Sequence, residues 1–184
     1  MNQSIRFVKE YPEFEKLFHK LFILRELDEW YINCCKEQSN LYGDFHDLKK
    51  VEKIENRDGY FPSFDIYLKL QNVKGEGGFL LTQEIHLQVS KIIPVYQMNY
   101  LYGIKQDKLD GILDLSGAPQ TFDMLEVQKE VKEKLKQKGY IELYDKYDSS
   151  DTIFDWEEVP GIESFNRSLT VELAVFYDVL ELCN

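Results

Sequence analysis

The first part of the chain places apolar residues at every third or fourth position, which is the spacing of one face of a helix. The pattern begins after Pro12, a residue that suits the first position of a helix, and only Asp28 interrupts it. Its members are Phe14, Leu17, Phe18, Leu21, Leu24, Tyr31 and Cys35. This spacing predicts one long amphipathic helix over roughly residues 12–37.

The middle of the chain alternates apolar and polar residues, which is typical of strands that bury one face. The alternation is clearest over residues 64–70 and 79–89, and further strands are predicted near 51–55 and over 92–104. The glycine-rich run 74–78 separates two of these strands and predicts a hairpin turn. Because the links are short, the strands are expected to form an antiparallel meander.

The last third of the chain returns to helical spacing after a predicted loop at residues 110–119. A second helix begins near Thr121, whose hydroxyl can cap the first turn, and its apolar positions are Met124, Val127, Val131 and Leu135. Residues 170–182 are predicted as a final helix capped by Thr170, with a strand as the alternative. The predicted fold is α+β in a single domain, residues 1–184: a long N-terminal helix, a central meander of three to five strands, and one or two C-terminal helices.

The charge of the chain is strongly negative and unevenly distributed. Its 22 Lys and Arg face 33 Asp and Glu, which gives a net charge of −11. Residues 139–184 alone hold 11 acidic and two basic residues, a net charge of −9. This acidic C-terminal segment argues against nucleic acid and anionic membranes as partners, because both attract clustered Lys and Arg. It favours a basic protein partner instead.

Aromatic residues are interleaved with the acids over Tyr140–Glu158, a mixture that is typical of protein interfaces. The predicted partner-binding residues are Tyr144, Asp148, Asp151, Asp155, Trp156, Glu157 and Glu158. The alternative interpretation is a solvated loop whose aromatic rings fold back onto the core.

No catalytic, cofactor-binding or metal-binding motif is found in the sequence. The three histidines lie at positions 19, 46 and 86, and none follows the spacing of the helical zinc motif. His46, near Asp44 and Asp47, comes closest to an acid–base or metal group, but exposed loop residues explain that cluster more simply.

The three cysteines are Cys34, Cys35 and Cys183. An odd count with an adjacent pair does not resemble a disulfide framework, so reduced thiols are expected. Reduced thiols, together with an N-terminus that lacks an apolar leader, predict a cytoplasmic protein.

The overall make-up is small, acidic and rich in aromatic residues, and it is similar to that of the immunity proteins that bacteria pair with toxins. The likeness is one of composition and includes no alignable motif. It implies a non-enzymatic binding protein, an inhibitor that occludes a basic protein partner such as a toxin through its acidic aromatic surface. The alternative is a small enzyme or ligand-binding domain with a pocket between sheet and helices.

Overall fold

The computed structural model describes residues 7–38, 41–57, 59–108, 111–143, 152–154 and 169–183, the backbone alone for 152–154. The helical elements are α1 (Phe7–Glu10), α2 (Pro12–Phe18), a π-helix (His19–Ile23), α3 (Asp28–Lys36), a 3₁₀-helix (Leu41–Phe45), α4 (Phe122–Gln137) and α5 (Val171–Phe176). The strands are β1 (Val51–Arg57), β2 (Ser63–Leu70), β3 (Val73–Gly75), β4 (Phe79–Ser90), β5 (Val95–Gln106), β6 (Leu113–Gly117), β7 (Ile141–Glu142), β8 (Thr152–Phe154) and β9 (Leu169–Thr170). No helix in these ranges combines the length and the apolar character needed to cross a membrane.

The main sheet contains seven strands and is mostly antiparallel, which agrees with the predicted α+β class but does not confirm the predicted meander of three to five strands. Its order is β1-β2-β4-β5-β6, with β3 paired to β4 and the short β7 paired in parallel to β5. The final pairing in this order joins β5 to β6, in a stretch that the sequence analysis predicts as a loop. The glycines and proline around Leu113–Gly117 led to the prediction of a loop, although the apolar and polar residues of this five-residue strand do alternate.

One face of this sheet is apolar and is covered by α4. Ile66 and Leu68 of β2 and Ile85 and Leu87 of β4 project from that face and are buried. The buried side of α4 consists of the predicted residues Met124, Val127, Val131 and Leu135. The helix is also capped as predicted, because the Thr121 hydroxyl accepts a hydrogen bond from the Met124 amide.

Ion pairs hold one flank of α4 against the segment 41–50, which contributes Leu41, Phe45 and Leu48 to the same core. They join Lys50 to Asp123, Lys134 to Asp47 and Lys138 to Asp44, each at 2.9 Å. The segment 41–50 precedes β1 and contacts it, and β1 and β6 form opposite edges of the sheet. The ion pairs therefore anchor α4 on the β1 side of the sheet.

A second core joins the two ends of the described chain. Phe7, Phe18, Phe22 and Tyr31 of the N-terminal helices are fully buried in the same cluster as residues of α5. The Tyr31 hydroxyl donates a hydrogen bond to Asp178 Oδ1 at 3.1 Å. Burial, and then the Asp178 carboxylate, raise the pKa of Tyr31 above its ordinary value of 10.0, so the phenol stays protonated.

The single long N-terminal helix is not confirmed, because the helical region is divided into α2, the π-helix and α3. Arg25 adopts a φ of 57°, which a helix does not accommodate. Its guanidinium donates two hydrogen bonds, of 2.9 and 2.8 Å, to the Asp28 carboxylate. Asp28, the polar position in the apolar pattern, begins α3, where an acidic side chain is favourable.

The C-terminal helix is real but shorter than predicted. Val171–Phe176 are helical, and Thr170 caps them by accepting a hydrogen bond from the Leu173 amide, as expected. Tyr177 then has extended backbone angles and ends the helix. The strand alternative applies only to Leu169–Thr170.

The prediction of reduced thiols is wrong for two of the three cysteines, since Cys35 and Cys183 form a disulfide with their Cα atoms 5.9 Å apart. Their separation of 148 residues explains why sequence spacing could not reveal the bond. Cys34 stays a thiol, and burial raises its pKa. Because stable disulfides are typical of oxidising compartments, the argument for a cytoplasmic location from reduced cysteines no longer holds.

Removing the disulfide should lower the free energy of unfolding by up to about 5 kcal/mol, because it closes a loop of 148 residues in the unfolded chain. Urea denaturation of the Cys183→Ser variant measures this loss, and a reducing agent should lower wild-type stability by the same amount. Cys34→Ser is the matched control and should unfold near the wild-type midpoint. A Cys183→Ser variant as stable as wild type would contradict the assignment.

Candidate functional site

The face of the sheet opposite α4 carries polar side chains, because residues paired directly across antiparallel strands share a face. We call it the polar face. Its rows follow the strand register and comprise Arg57, Asp65, Gln88 and Gln97, then Glu55, Tyr67, His86 and Asn99, then Lys53, Lys69, Glu84, Leu101 and Ser116.

The C-terminal segment covers the Gln88 and Gln97 end of the first row, whereas Arg57 at its other end is exposed. The Gln97 side-chain amide donates a hydrogen bond to Glu172 at 3.2 Å, and the buried Ser63 hydroxyl lies 3.0 Å from the Phe176 carbonyl oxygen. Gln88 and Gln97 are accordingly buried and hydrogen-bond to each other at 2.8 Å. The polar face is therefore divided into a covered end and a more accessible remainder.

Three side chains form a stack at the border of the covered end. The Tyr67 ring is parallel to the His86 ring, with the centroids 4.4 Å apart and 3° between their planes. The Arg57 guanidinium lies 4.6 Å from the Tyr67 centroid, in cation–π contact. The stack arises because Tyr67 and His86 are direct cross-strand partners.

Asp65 fixes the orientation of His86. Its Oδ1 atom lies 2.7 Å from His86 Nε2, and its Oδ2 atom lies 3.2 Å from the Ser63 hydroxyl oxygen. A carboxylate in this position can hold an imidazole in one tautomer. The Ser63 hydroxyl points to Asp65 and to the Phe176 carbonyl, so Asp65 contacts both His86 and Ser63.

A chain of ion pairs continues across the polar face. Glu55 contacts Lys53 at 2.7 Å and Lys69 at 2.9 Å, and Lys69 reaches Glu84 at 3.8 Å. The hydrogen bond from Lys53, and then that from Lys69, hold the pKa of the Glu55 carboxyl at about 2.

A hollow of about 980 Å³ lies beside this chain, towards β6. Its lining includes Lys69, Glu84, Gly103 and Asp114. A Cβ at Gly103 would stand 2.5 Å from Thr82 Oγ1, so glycine lets the strands approach at that point. The volume is within the range of ligand pockets, and the charges of the lining are mixed.

A second cleft of about 660 Å³ lies between the end of α3 and the start of β2. Lys36, Arg57 and Lys91 contribute three cationic groups, and Tyr42 and Tyr60 are among its aromatic residues. Lys91 Nζ donates a hydrogen bond to the Cys35 carbonyl at 2.8 Å and lies 4.6 Å from the centroid of the Phe64 ring. This is a pocket between helix and sheet, of the kind that the alternative function requires.

The seven residues predicted to bind a partner, Tyr144, Asp148, Asp151, Asp155, Trp156, Glu157 and Glu158, lie outside the described residues. Just before them, Leu143 is buried, and Glu142 pairs with Lys132 at 2.9 Å. The acids around His46 pair with Lys134 of α4 and with Lys138 just after it, and the described ranges contain no group of three or more metal-ligating side chains.

The polar face was missed because alternation within one strand shows which side chains face away from the core but not which strands are neighbours. The same alternation places Asp65, Tyr67 and His86 on the opposite face, and pairing the strands in register could have brought them together. No family model, no curated protein and no solved structure matches the chain.

Replacing Lys53 with Met should raise the pKa of Glu55 from about 2 towards its ordinary value of 4.5, because the strongest of its hydrogen bonds is lost. A carboxyl ¹³C NMR titration measures the change, and added salt should act in the same direction. Lys74→Met, an exposed change on β3, is the matched control. An ordinary pKa for Glu55 in the wild-type protein would show that the ion-pair chain does not form in solution.

Proposed function

We propose that the chain is a non-enzymatic binding protein whose partner is a basic protein. The observation that carries the proposal is the net charge of −11, of which −9 lies in residues 139–184. Such a field raises the rate of encounter with a positively charged surface and repels nucleic acid and anionic lipid. Occlusion of the partner's functional surface is then both electrostatic and steric, as the compositional likeness to immunity proteins implies.

The chemistry of the described polar face supports binding over catalysis. His86 is stacked on Tyr67 and held by Asp65, an arrangement that keeps an aromatic surface rigid. Rigid aromatic and arginine side chains are the groups that contribute most at protein interfaces. Arg57 and Tyr67 are of this type.

The proposal assigns different roles to the predicted partner-binding residues. Asp148, Asp151, Asp155, Glu157 and Glu158 provide the attracting charge. Tyr144 and Trp156 provide contact area. Replacing Trp156 with Ala should therefore cost about 2–4 kcal/mol of affinity, whereas replacing a single acid should cost less.

The test begins with a partner identified by affinity capture and mass spectrometry. Neutralising Asp151, Asp155, Glu157 and Glu158 together should slow association about tenfold at low salt and flatten its salt dependence, because steering depends on charge. Surface plasmon resonance at several salt concentrations measures both effects. Unfolding by urea, measured in parallel, should change little.

The matched control neutralises four exposed acids of the N-terminal helical region, Glu13, Glu15, Glu26 and Glu29. It changes the net charge by the same amount, so only the location of the charge differs. Equal slowing in both variants, or none in either, would reject the assigned surface.

A second candidate function is a ligand-binding domain, which the cleft between α3 and β2 favours. Three cationic side chains and one acid, Glu37, line it, a net positive charge in a strongly acidic chain, and its aromatic residues offer stacking surfaces. The ligand would be a small anion that carries a flat ring. Saturable binding of such a molecule, lost in Arg57→Ala, distinguishes this function from the first.

A further inference from the structure

The two edges of the main sheet differ in how they are protected against pairing with another chain. β1 forms one edge, and five of its seven residues are polar or charged: Glu52, Lys53, Glu55, Asn56 and Arg57. β6 forms the other edge, where Asp114 is the single charged residue and all five residues are exposed. Charged side chains are a common defence of edge strands, so β1 is protected and β6 is not.

The outer side of β6 pairs with no other strand within the described ranges. An edge strand offers alternate backbone N–H and C=O groups along its outer side, which can form a ladder with an added strand. β5 is antiparallel to β6 over residues 100–104, so β6 is held in an extended conformation. Because β6 is already ordered, less conformational entropy is lost when another strand pairs with it.

Exposed apolar side chains adjoin this edge. Leu113 and Leu115 project from the α4 side of the sheet because they pair with Ile104 and Tyr102. The Tyr102 hydroxyl donates to the Ala118 carbonyl at 2.9 Å and accepts from the Gln120 amide at 2.7 Å, which places the start of α4 beside Leu115. The exposed fractions are 58% for Leu113, 47% for Leu115, 87% for Phe122 and 44% for Leu125. We call these four side chains the edge strip.

The four residues of the edge strip are not isolated apolar residues of the kind found on most protein surfaces. They come from β6 and the first turn of α4, which are joined by the short link 118–121 that Tyr102 holds. Leu113 and Leu115 lie on the α4 side of β6 and are about half exposed, so α4 does not cover them. The apolar face is therefore left incomplete on this side, and an incoming strand would extend it.

We propose that β6 and the edge strip dock an extended segment of the basic protein partner, which adds to the sheet as a further strand. The proposal rests on the proposed function for the sign of the partner's charge. Side chains of the added strand alternate between faces, so it would place apolar residues against the edge strip. It would place basic residues on the other side, next to Asp114, the charged residue of β6 that lines the hollow there.

The charge of the chain also selects this occupant over a second copy of the protein. Two copies, each with a net charge of −11, repel one another, and pairing β6 with itself would bring the two Asp114 carboxylates to the same interface. A strand with alternating apolar and basic residues is not repelled by the negative charge and brings no second carboxylate to Asp114.

The probe is a seven-residue peptide that alternates Val and Lys, added to ¹⁵N-labelled protein and followed by NMR. Chemical-shift changes should centre on residues 113–117, Phe122 and Leu125. A peptide with the same composition but with its valines and lysines in two blocks should bind at least tenfold more weakly, because it cannot present one apolar side.

The double variant Leu113→Thr with Leu115→Thr should weaken binding of the alternating peptide at least tenfold. Its matched control is Val73→Thr, a change at a similarly exposed apolar residue of β3, which should leave binding unchanged. Both variants keep the net charge and alter exposed residues, so their urea unfolding curves should match that of the wild type. Phe122→Ser, at the most exposed position, is a further variant that should weaken binding without a cost in stability.

The contrary outcomes are distinct. Shift changes confined to the acidic segment 139–168, or changes centred on β1 or the cleft, would overturn docking at β6 and leave the proposed function standing. A concentration-dependent dimer in sedimentation, dissociated by the threonine variant, would show that the occupant is a second copy. If a captured basic partner binds wild type and the threonine variant equally, the edge is not its docking site. If the peptide meets every expectation but no basic partner is found, the proposed function and the partner as occupant both fail, whereas β6 remains a site for an alternating apolar and basic strand.

Discussion

The structure depends on covering one apolar face of a broad sheet with a single well-formed helix. Five strand positions about 4.8 Å apart span roughly 19 Å, whereas a helix with its side chains is about 10–12 Å across. The segment 41–50 supplies cover on the β1 side, and its ion pairs hold α4 there. The strip beside β6 is what remains exposed, so the packing that stabilises the fold also determines where the fold is incomplete.

The opposite face of the sheet is polar and is covered at one end only. Its polar side chains are ordered by cross-strand contacts, and the C-terminal segment covers one end. The Cys35–Cys183 disulfide and the Tyr31–Asp178 hydrogen bond tie that segment to the N-terminal helices. The C-terminal segment therefore completes the second core and also limits the accessible part of the polar face.

Local pattern predicted the elements whose burial is regular and missed those decided by distant contacts. The alternation around Ile66 and Leu87 and the spacing from Met124 to Leu135 were sufficient for β2, β4 and α4. The N-terminal helix was overextended because Asp28 was treated as a tolerated interruption, although it pairs with Arg25 and begins a new helix. The disulfide and the His86 stack depend on which termini and strands are neighbours in space, which one sequence does not show. β6 was missed for a local reason, because its alternation is short and lies among glycines and a proline.

Residue-resolved hydrogen exchange on the unliganded protein, at low micromolar concentration, tests the incomplete edge most directly. The account predicts strong protection for β5 amides and for those β6 amides that bond to β5, with rapid exchange for the amides on the outer side of β6. Adding the basic partner should slow that outer set and leave β1 unchanged. Outer β6 amides that are already as protected as β5 in the unliganded protein would contradict the account.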